Sequence, residues 1–455
     1  MAAQGKSLAI QRLPLALNAY WLAAGLAAAL SLAAALFTVF GGAASTSGPP
    51  APFAAQQAQA LNDRIAFFET HLAGDPNDVV ALDELAGDYY QRARQTGDLA
   101  DYNRADTASS RAVAILPGYF NSVVAAALTK NALHDFQGSL SLAQHAVDLR
   151  PGQGSGYALR GDDYVALGRY EDAARDYQKA VELEPGLSAF SRLATISFLR
   201  GDVRNAEDFW KQAISSLDGL PAENAAYVRT QLAQLYFDRA DLDKAESQVD
   251  QALKAYPDYV HAVAARARIE ASRGKFDTAI ADYTSVVQRQ PLVEYVIALG
   301  ETYEAAGRSA EAEQEYALVD AIDKLYKANG INTDLALSVF YANHDRTPDK
   351  GLALAQSAYK AAPSIYAADA YAWALYKNGR AADAAPLIDE AMRLGTPDAS
   401  LFYHAGLIQK ALGNDNEAAA LLAKALKTNP NFSLIQAPIA RQALSDLRSS
   451  GKAVR

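Results

Sequence analysis

The side chains of this 455-residue chain best suited to proton transfer or metal binding are six histidines and a few neighbouring carboxylates. Catalysis would need such groups to converge in one pocket. His71, His134, His145, His261, His344 and His404 are instead scattered along the chain. The spacings that mark zinc hydrolases, serine nucleophiles, phosphate-binding loops and calcium loops do not occur in the sequence. His134 stands where Gly168 and Gly274 stand in other segments, which marks it as a turn residue. His404 lies in Phe402-Tyr403-His404-Ala405-Gly406, and aromatic and small neighbours point to packing. Asp162-Asp163 and the pair Glu301 and Glu304 resemble acid–base pairs, yet on helices they read as solvated faces. There is no cysteine, so thiolate chemistry and disulfides are excluded. The expectation is a protein that is not an enzyme, with no cofactor and no metal.

The elements that hold these residues are read from composition and period. Half of the residues are apolar and 21% are charged. Alanine dominates the apolar set, and it loses the least entropy on entering a helix. An all-α chain is expected. A net charge of -10 and a pI near 5.2 argue against a nucleic-acid partner, because tracking phosphates requires concentrated Lys and Arg.

Prolines recur at 117, 151, 185, 221, 257, 291, 363, 397 and 430, with gaps of 34, 34, 36, 36, 34, 72, 34 and 33. The long gap is two units with one proline missing near Asn329-Gly330. Each proline follows a helix-period run and stops it, because it has no N–H to donate. Residues 152–185 place Tyr157, Gly161, Tyr164, Gly168, Ala173, Tyr177, Ala180 and Pro185 in order. Leu299, Gly300, Tyr303, Gly307, Ala312 and Tyr316 repeat that order, as do Leu232, Ala233, Tyr236, Ala245, Ala252 and Pro257. The spacing resembles the tetratricopeptide repeat, a helix-turn-helix unit of 34 residues. Small residues such as Gly161, Ala233, Gly300 and Gly406 are expected where the first helix of a unit presses on the second. Tyr177, Trp210, Tyr283 and Tyr316 are expected to fill the gap to the neighbour. The resemblance implies an all-α, right-handed superhelical α-solenoid of about ten helix pairs, in which stacking supplies the core that one pair lacks.

The N-terminus reads differently. No Asp, Glu, Lys or Arg occurs from Leu13 to Asn62, and Leu13 to Phe40 is almost wholly apolar. Tyr20 to Phe40 alone supplies 21 residues, where a bilayer core needs about 20. A cleaved signal peptide is the competing reading, with Gly41 to Ser45 as the processing site, but its apolar core is usually only about 7 to 15 residues. The anchor is preferred. Lys6 and Arg12 place residues 1–12 in the cytoplasm and the rest outside. The expected organisation is an anchor over 13–40, a Gly/Ser/Pro linker over 41–60, the array over 61–430 and a capping helix with a tail over 431–455. An amphipathic helix near Leu61 to Leu72 opens the array, and one near Leu434 to Leu447 closes it.

In the tetratricopeptide family the first helices line a concave groove that holds protein or peptide partners. By register, the resemblance places Asn121, Asn131, Asp162, Gln234, His261, Arg268, Glu294, Glu301, Trp373 and Tyr376 on that groove. Their mixed charge does not form a concentrated clamp for a carboxylate terminus. The function expected is a membrane-tethered, extracytoplasmic scaffold of a bacterial cell envelope that binds protein or peptide partners. The alternative is an accessory subunit for a small molecule or glycan, with a pocket around His404, Trp373 and the tyrosines.

Overall fold

The computed structural model describes residues 52–449. The apolar stretch Leu13 to Phe40 and the last six residues lie outside them. Among the described residues there are 22 helices and no strand, and no helix is long and apolar enough to cross a membrane.

Helix α1 spans Pro52–Gly74. Ten helix pairs follow: α2 (Val79–Thr96) with α3 (Leu99–Ile115), α4 (Phe120–Ala132) with α5 (Phe136–Leu149), α6 (Gly154–Ala166) with α7 (Tyr170–Leu183), α8 (Leu187–Leu199) with α9 (Val203–Ser215), and α10 (Ala222–Asp238) with α11 (Leu242–Ala255). The second five are α12 (Val260–Ser272) with α13 (Phe276–Arg289), α14 (Val293–Ala305) with α15 (Ser309–Ala328), α16 (Asp334–Asn343) with α17 (Pro348–Ala361), α18 (Ile365–Lys377) with α19 (Ala381–Met392), and α20 (Ala399–Ala411) with α21 (Asp415–Thr428). Helix α22 (Gln436–Ser449) closes the row. The ten expected pairs are present, and so is the unusually long second helix before Gly330. The opening helix starts earlier than expected, so residues 52–60 of the expected linker are helical. Proline is suited to the first helical turn, and the Ala- and Gln-rich run behind it favours helix.

Every turn between the two helices of a pair holds a residue with positive φ at the corresponding position, and the turn after α16 holds a second, Thr347. Seven are glycines (97, 168, 201, 274, 307, 379 and 413), and the other three are His134, Ala240 and Asp345. His134, at φ 62°, is therefore the turn residue its position implied. Within pairs the small positions are close contacts. A Cβ on Gly161 would lie 2.4 Å from the Tyr177 ring, one on Gly300 2.4 Å from the Tyr316 ring, and one on Gly406 2.8 Å from Leu422.

The two helices of a pair occupy different layers. Helix α8 buries ten of its 13 residues, while its partner α9 buries only Ala206, Trp210 and Ala213. First helices form the inner layer and second helices the outer one. The row of pairs also coils onto itself, so that the end of each first helix in pairs one to five meets a loop that follows the pair five or six further on. Gln290 Nε2 donates to the Arg94 carbonyl at 3.0 Å, and His134 Nδ1 lies 2.8 Å from the Asn332 carbonyl. Arg393 donates to the Gly168 carbonyl at 2.7 Å, Thr396 Oγ1 to that of Leu199 at 2.5 Å, and Asn429 Nδ2 to that of Phe237 at 2.8 Å. The carbonyls at a helix C-terminus have no partner within the helix, and here the next superhelical turn supplies one. Gln290, Thr396 and Asn429 are all buried, and each immediately precedes a proline of the repeat.

Candidate functional site

Helices α10, α12 and α14 carry two rows of side chains on the inner layer. Tyr227, His261 and Tyr295 are spaced by 34 residues, and Gln234, Arg268 and Glu301 by 34 and 33. Tyr227 and Gln234, like His261 and Arg268, are seven residues apart, close to two helical turns, which puts both members on one face. Neighbouring pairs are joined through these rows. His261 Nδ1 lies 2.5 Å from the Tyr295 hydroxyl, and Arg268 Nη1 donates to Gln234 Oε1 at 3.0 Å. The Arg268 guanidinium also lies 4.0 Å from the centre of the Phe237 ring. Gln234 Nε2 donates to Asp238 Oδ1 at 2.7 Å, and Glu301 lies 3.3 Å from Nε2 of His344, the residue that follows α16. The result is a polar strip in which Gln234, His261, Arg268 and Glu301 are half-buried on three consecutive first helices, while Tyr227, Tyr295 and the His344 side chain at the end of a fourth are buried.

Burial sets the electrostatics of this strip. Asp238 is enclosed among protein groups, and loss of hydration pushes its carboxyl up to about 7, against the pull of Arg268. Loss of hydration, with the charge of Arg94 adding to it, pushes the His261 imidazole down to about 4. Glu294, next along α14, is pushed well above the usual carboxylate range by the same desolvation, and its Oε2 has no hydrogen-bond partner. Arg94 Nη2 on α2 reaches Glu223 Oε1 on α10 at 3.1 Å, an ion pair linking the first and fifth pairs.

The remaining expected groove residues are placed differently. Asn121 is exposed on α4. Asn131 and Asp162 are fully buried, which corrects the expectation that they face a partner. Asn131 Nδ2 donates to Asp163 Oδ1 at 2.7 Å. Asp162 accepts from Arg192 Nε at 2.8 Å, from Arg192 Nη2 at 2.7 Å and from the Tyr177 hydroxyl at 2.9 Å. At this register the side chains point toward the adjacent pair, so Asp162-Asp163 is not a solvated face either. A buried carboxylate persists when it is paired and hydrogen-bonded; Asp162 has such partners in Arg192 and Tyr177. Trp373 is buried too, stacked on Tyr376 at 5.0 Å and on His404 at 4.2 Å.

His404 Nδ1 lies 2.9 and 3.0 Å from the two Asp369 oxygens. Asn343 Oδ1 accepts from Trp373 Nε1 at 2.9 Å and from Gln436 Nε2 at 2.7 Å, which ties α22 to the last pairs. These side chains fill the space around His404 themselves, so the region expected to hold a pocket in the alternative reading is a packed joint. Tyr227, Tyr295, His344, Arg94 and Glu223 were missed as members of the inner layer. The 34-residue spacing of Tyr227, His261 and Tyr295 was a signal that could have found the first two. Nothing local marks the other three.

A family model described as tetratricopeptide repeat matches residues 230–294, 265–324 and 370–431, and a second with the same description matches 154–187. No curated protein matches the chain. Among solved structures, a thermophilic tetratricopeptide protein of Thermus thermophilus is 25% identical over 38% of this chain and 90% of its own, with a TM-score of 0.34. A tetratricopeptide repeat protein from Parabacteroides merdae is 14% identical over 51% of this chain and 91% of its own, at 0.40. YrrB, described as a tetratricopeptide protein with an unusual peptide-binding site, is 16% identical over 44% of this chain and 97% of its own, at 0.28. The matched segments fall on helix pairs whose small, aromatic and turn positions recur in register, and the chain is a tetratricopeptide repeat protein.

Proposed function

We propose that this protein is a binding scaffold, not a catalyst, and that a protein or peptide segment lies along the strip formed by Gln234, His261, Arg268, Glu301 and His344. The observation that carries this reading is the row itself, with half-buried polar side chains on three consecutive first helices and His344 at the end of the fourth. Such a row offers donors and acceptors at regular steps to an extended segment of mixed charge. A photo-crosslinking residue at position 268 should join a protein partner in cells, while one at the outer position Lys211 should not. The double variant Arg268→Ala, Glu301→Ala should weaken capture with unchanged helicity. Equal crosslinking from both positions, or full capture by the double variant, would overturn the assignment.

We also propose that the segment from Leu13 to Phe40 tethers the array to a bacterial membrane and that the array lies on the outer side. The support is Lys6 and Arg12 before the span and the uncharged run behind it. Protease added to intact spheroplasts should remove the repeats while a cytoplasmic control survives. Repeats that stay protected would reverse the orientation.

A further inference from the structure

Where the second, third and fourth pairs meet the eighth and ninth across the coil, stacking leaves a cavity of about 80 Å³. One wall is Phe136, Val165 and Leu199, and the facing wall is largely alanine, including Ala336, Ala358, Ala362 and Ala367. Interiors ordinarily fill such space to crystal-like density. Here small residues on the second turn keep it open.

The polar groups on its lining are nearly all occupied by the fold. Thr333 Oγ1 donates to Asp323, Thr195 Oγ1 donates to the Ser191 carbonyl, and Ser364 Oγ accepts from the Ala367 amide. His134 differs. Its Nδ1 faces the Asn332 carbonyl, which can only accept, so Nδ1 carries the proton. Its Nε2 is then a bare acceptor, buried and without a hydrogen-bond partner, and desolvation holds the imidazole pKa down, in its neutral form. His134 also occupies a left-handed turn position that seven of the ten pairs give to glycine. An L side chain costs energy there, and strain of this kind gathers at functional positions.

We propose that this cavity is a binding site for a small amphiphile, an apolar body of a few carbons bearing one hydroxyl or N–H that donates to His134 Nε2. An engineered cavity of about 150 Å³ holds benzene, so this one has room for a body of three or four carbons. A longer chain would have to emerge at the open side. The tautomer sets the selectivity: an alcohol or amine is accepted, while a ketone or ether of the same size has no proton to give. Because the walls come from different superhelical turns, the ligand would bridge them.

The test uses the full chain, labelled with ¹⁵N-histidine and held in nanodiscs, titrated with 1-butanol and in parallel with 2-butanone. Both partition into lipid, but only the alcohol donates. The His134 Nε2 resonance, assigned by its loss in His134→Gly, should move saturably with 1-butanol and stay still with 2-butanone. Glycine suits the turn, so that variant should fold, and 1-butanol should protect it from thermal unfolding at concentrations about tenfold higher than it protects the parent. Ala336→Leu, which fills the cavity, should abolish the saturable shift while leaving the other histidine resonances in place. A shift of equal size with both probes, no saturable shift with either, or a shift that survives in Ala336→Leu would overturn the proposal.

Discussion

Asp238 is an acid held largely away from water beside one arginine and another carboxylate. Its carboxyl titrates near 7 in the fold, while an unfolded aspartate titrates near 4. Folding therefore favours the protonated form. The stability this group contributes is fully present below about pH 4 and is lost as pH rises through 7. Asp238→Asn should flatten the fall in melting temperature between pH 5 and 8 and raise the midpoint at pH 8, because Gln234 keeps an oxygen to donate to. A melting curve that falls as steeply in the variant would assign the pH dependence elsewhere, for instance to Glu315, which burial also pushes to about 7. Individual side chains were only partly legible in the sequence. His134 and His404 could be placed because turn position and crowded neighbours are local properties. Asn131 and Asp162 could not, since the same helical register faces solvent in an isolated helix and the next helix in a packed row. Their partners, Asp163 and Arg192, lie 32 and 30 residues away.

At the level of helices, the contact between the two members of a pair is decided by one missing side chain. Gly300 lets the Tyr316 ring lie against the α14 backbone, closer than any Cβ would permit. Gly300→Leu should therefore cost at least about 1–3 kcal/mol, the usual penalty for forcing bulk into a filled interior. Urea unfolding of the chain from Pro52 onward would measure it, and an unchanged midpoint would mean that the pair opens easily at this point. This level was the most legible one. Proline, glycine and alanine act through backbone geometry and close approach, which are local and repeat with the unit, so the ten pairs are legible in the sequence alone. The start of α1 was misjudged because Gly, Ser and Pro up to residue 52 hid a helix-favouring run behind them.

The coil as a whole was not legible, because nothing in a 34-residue pattern says which repeats will meet after a full superhelical turn. The buried polar residues before three prolines are the trace it leaves in the sequence. Thr396→Val, nearly the same shape, would strip the Leu199 carbonyl of a buried donor. The expected cost is about 1–3 kcal/mol, read from the same urea experiment. No loss would mean that the two turns part readily at this point. The register of these contacts also bears on how the chain is made. An open row of repeats can settle behind the ribosome one unit at a time, since each touches only its neighbours. Here the Arg94 carbonyl must wait for Gln290, 196 residues later. At about 5 to 20 residues per second that is roughly 10 to 40 seconds of synthesis. For that interval the first turn exists with one rim bare, which makes it the stage at which a nascent chain of this protein is most exposed to wrong partners and most in need of a chaperone.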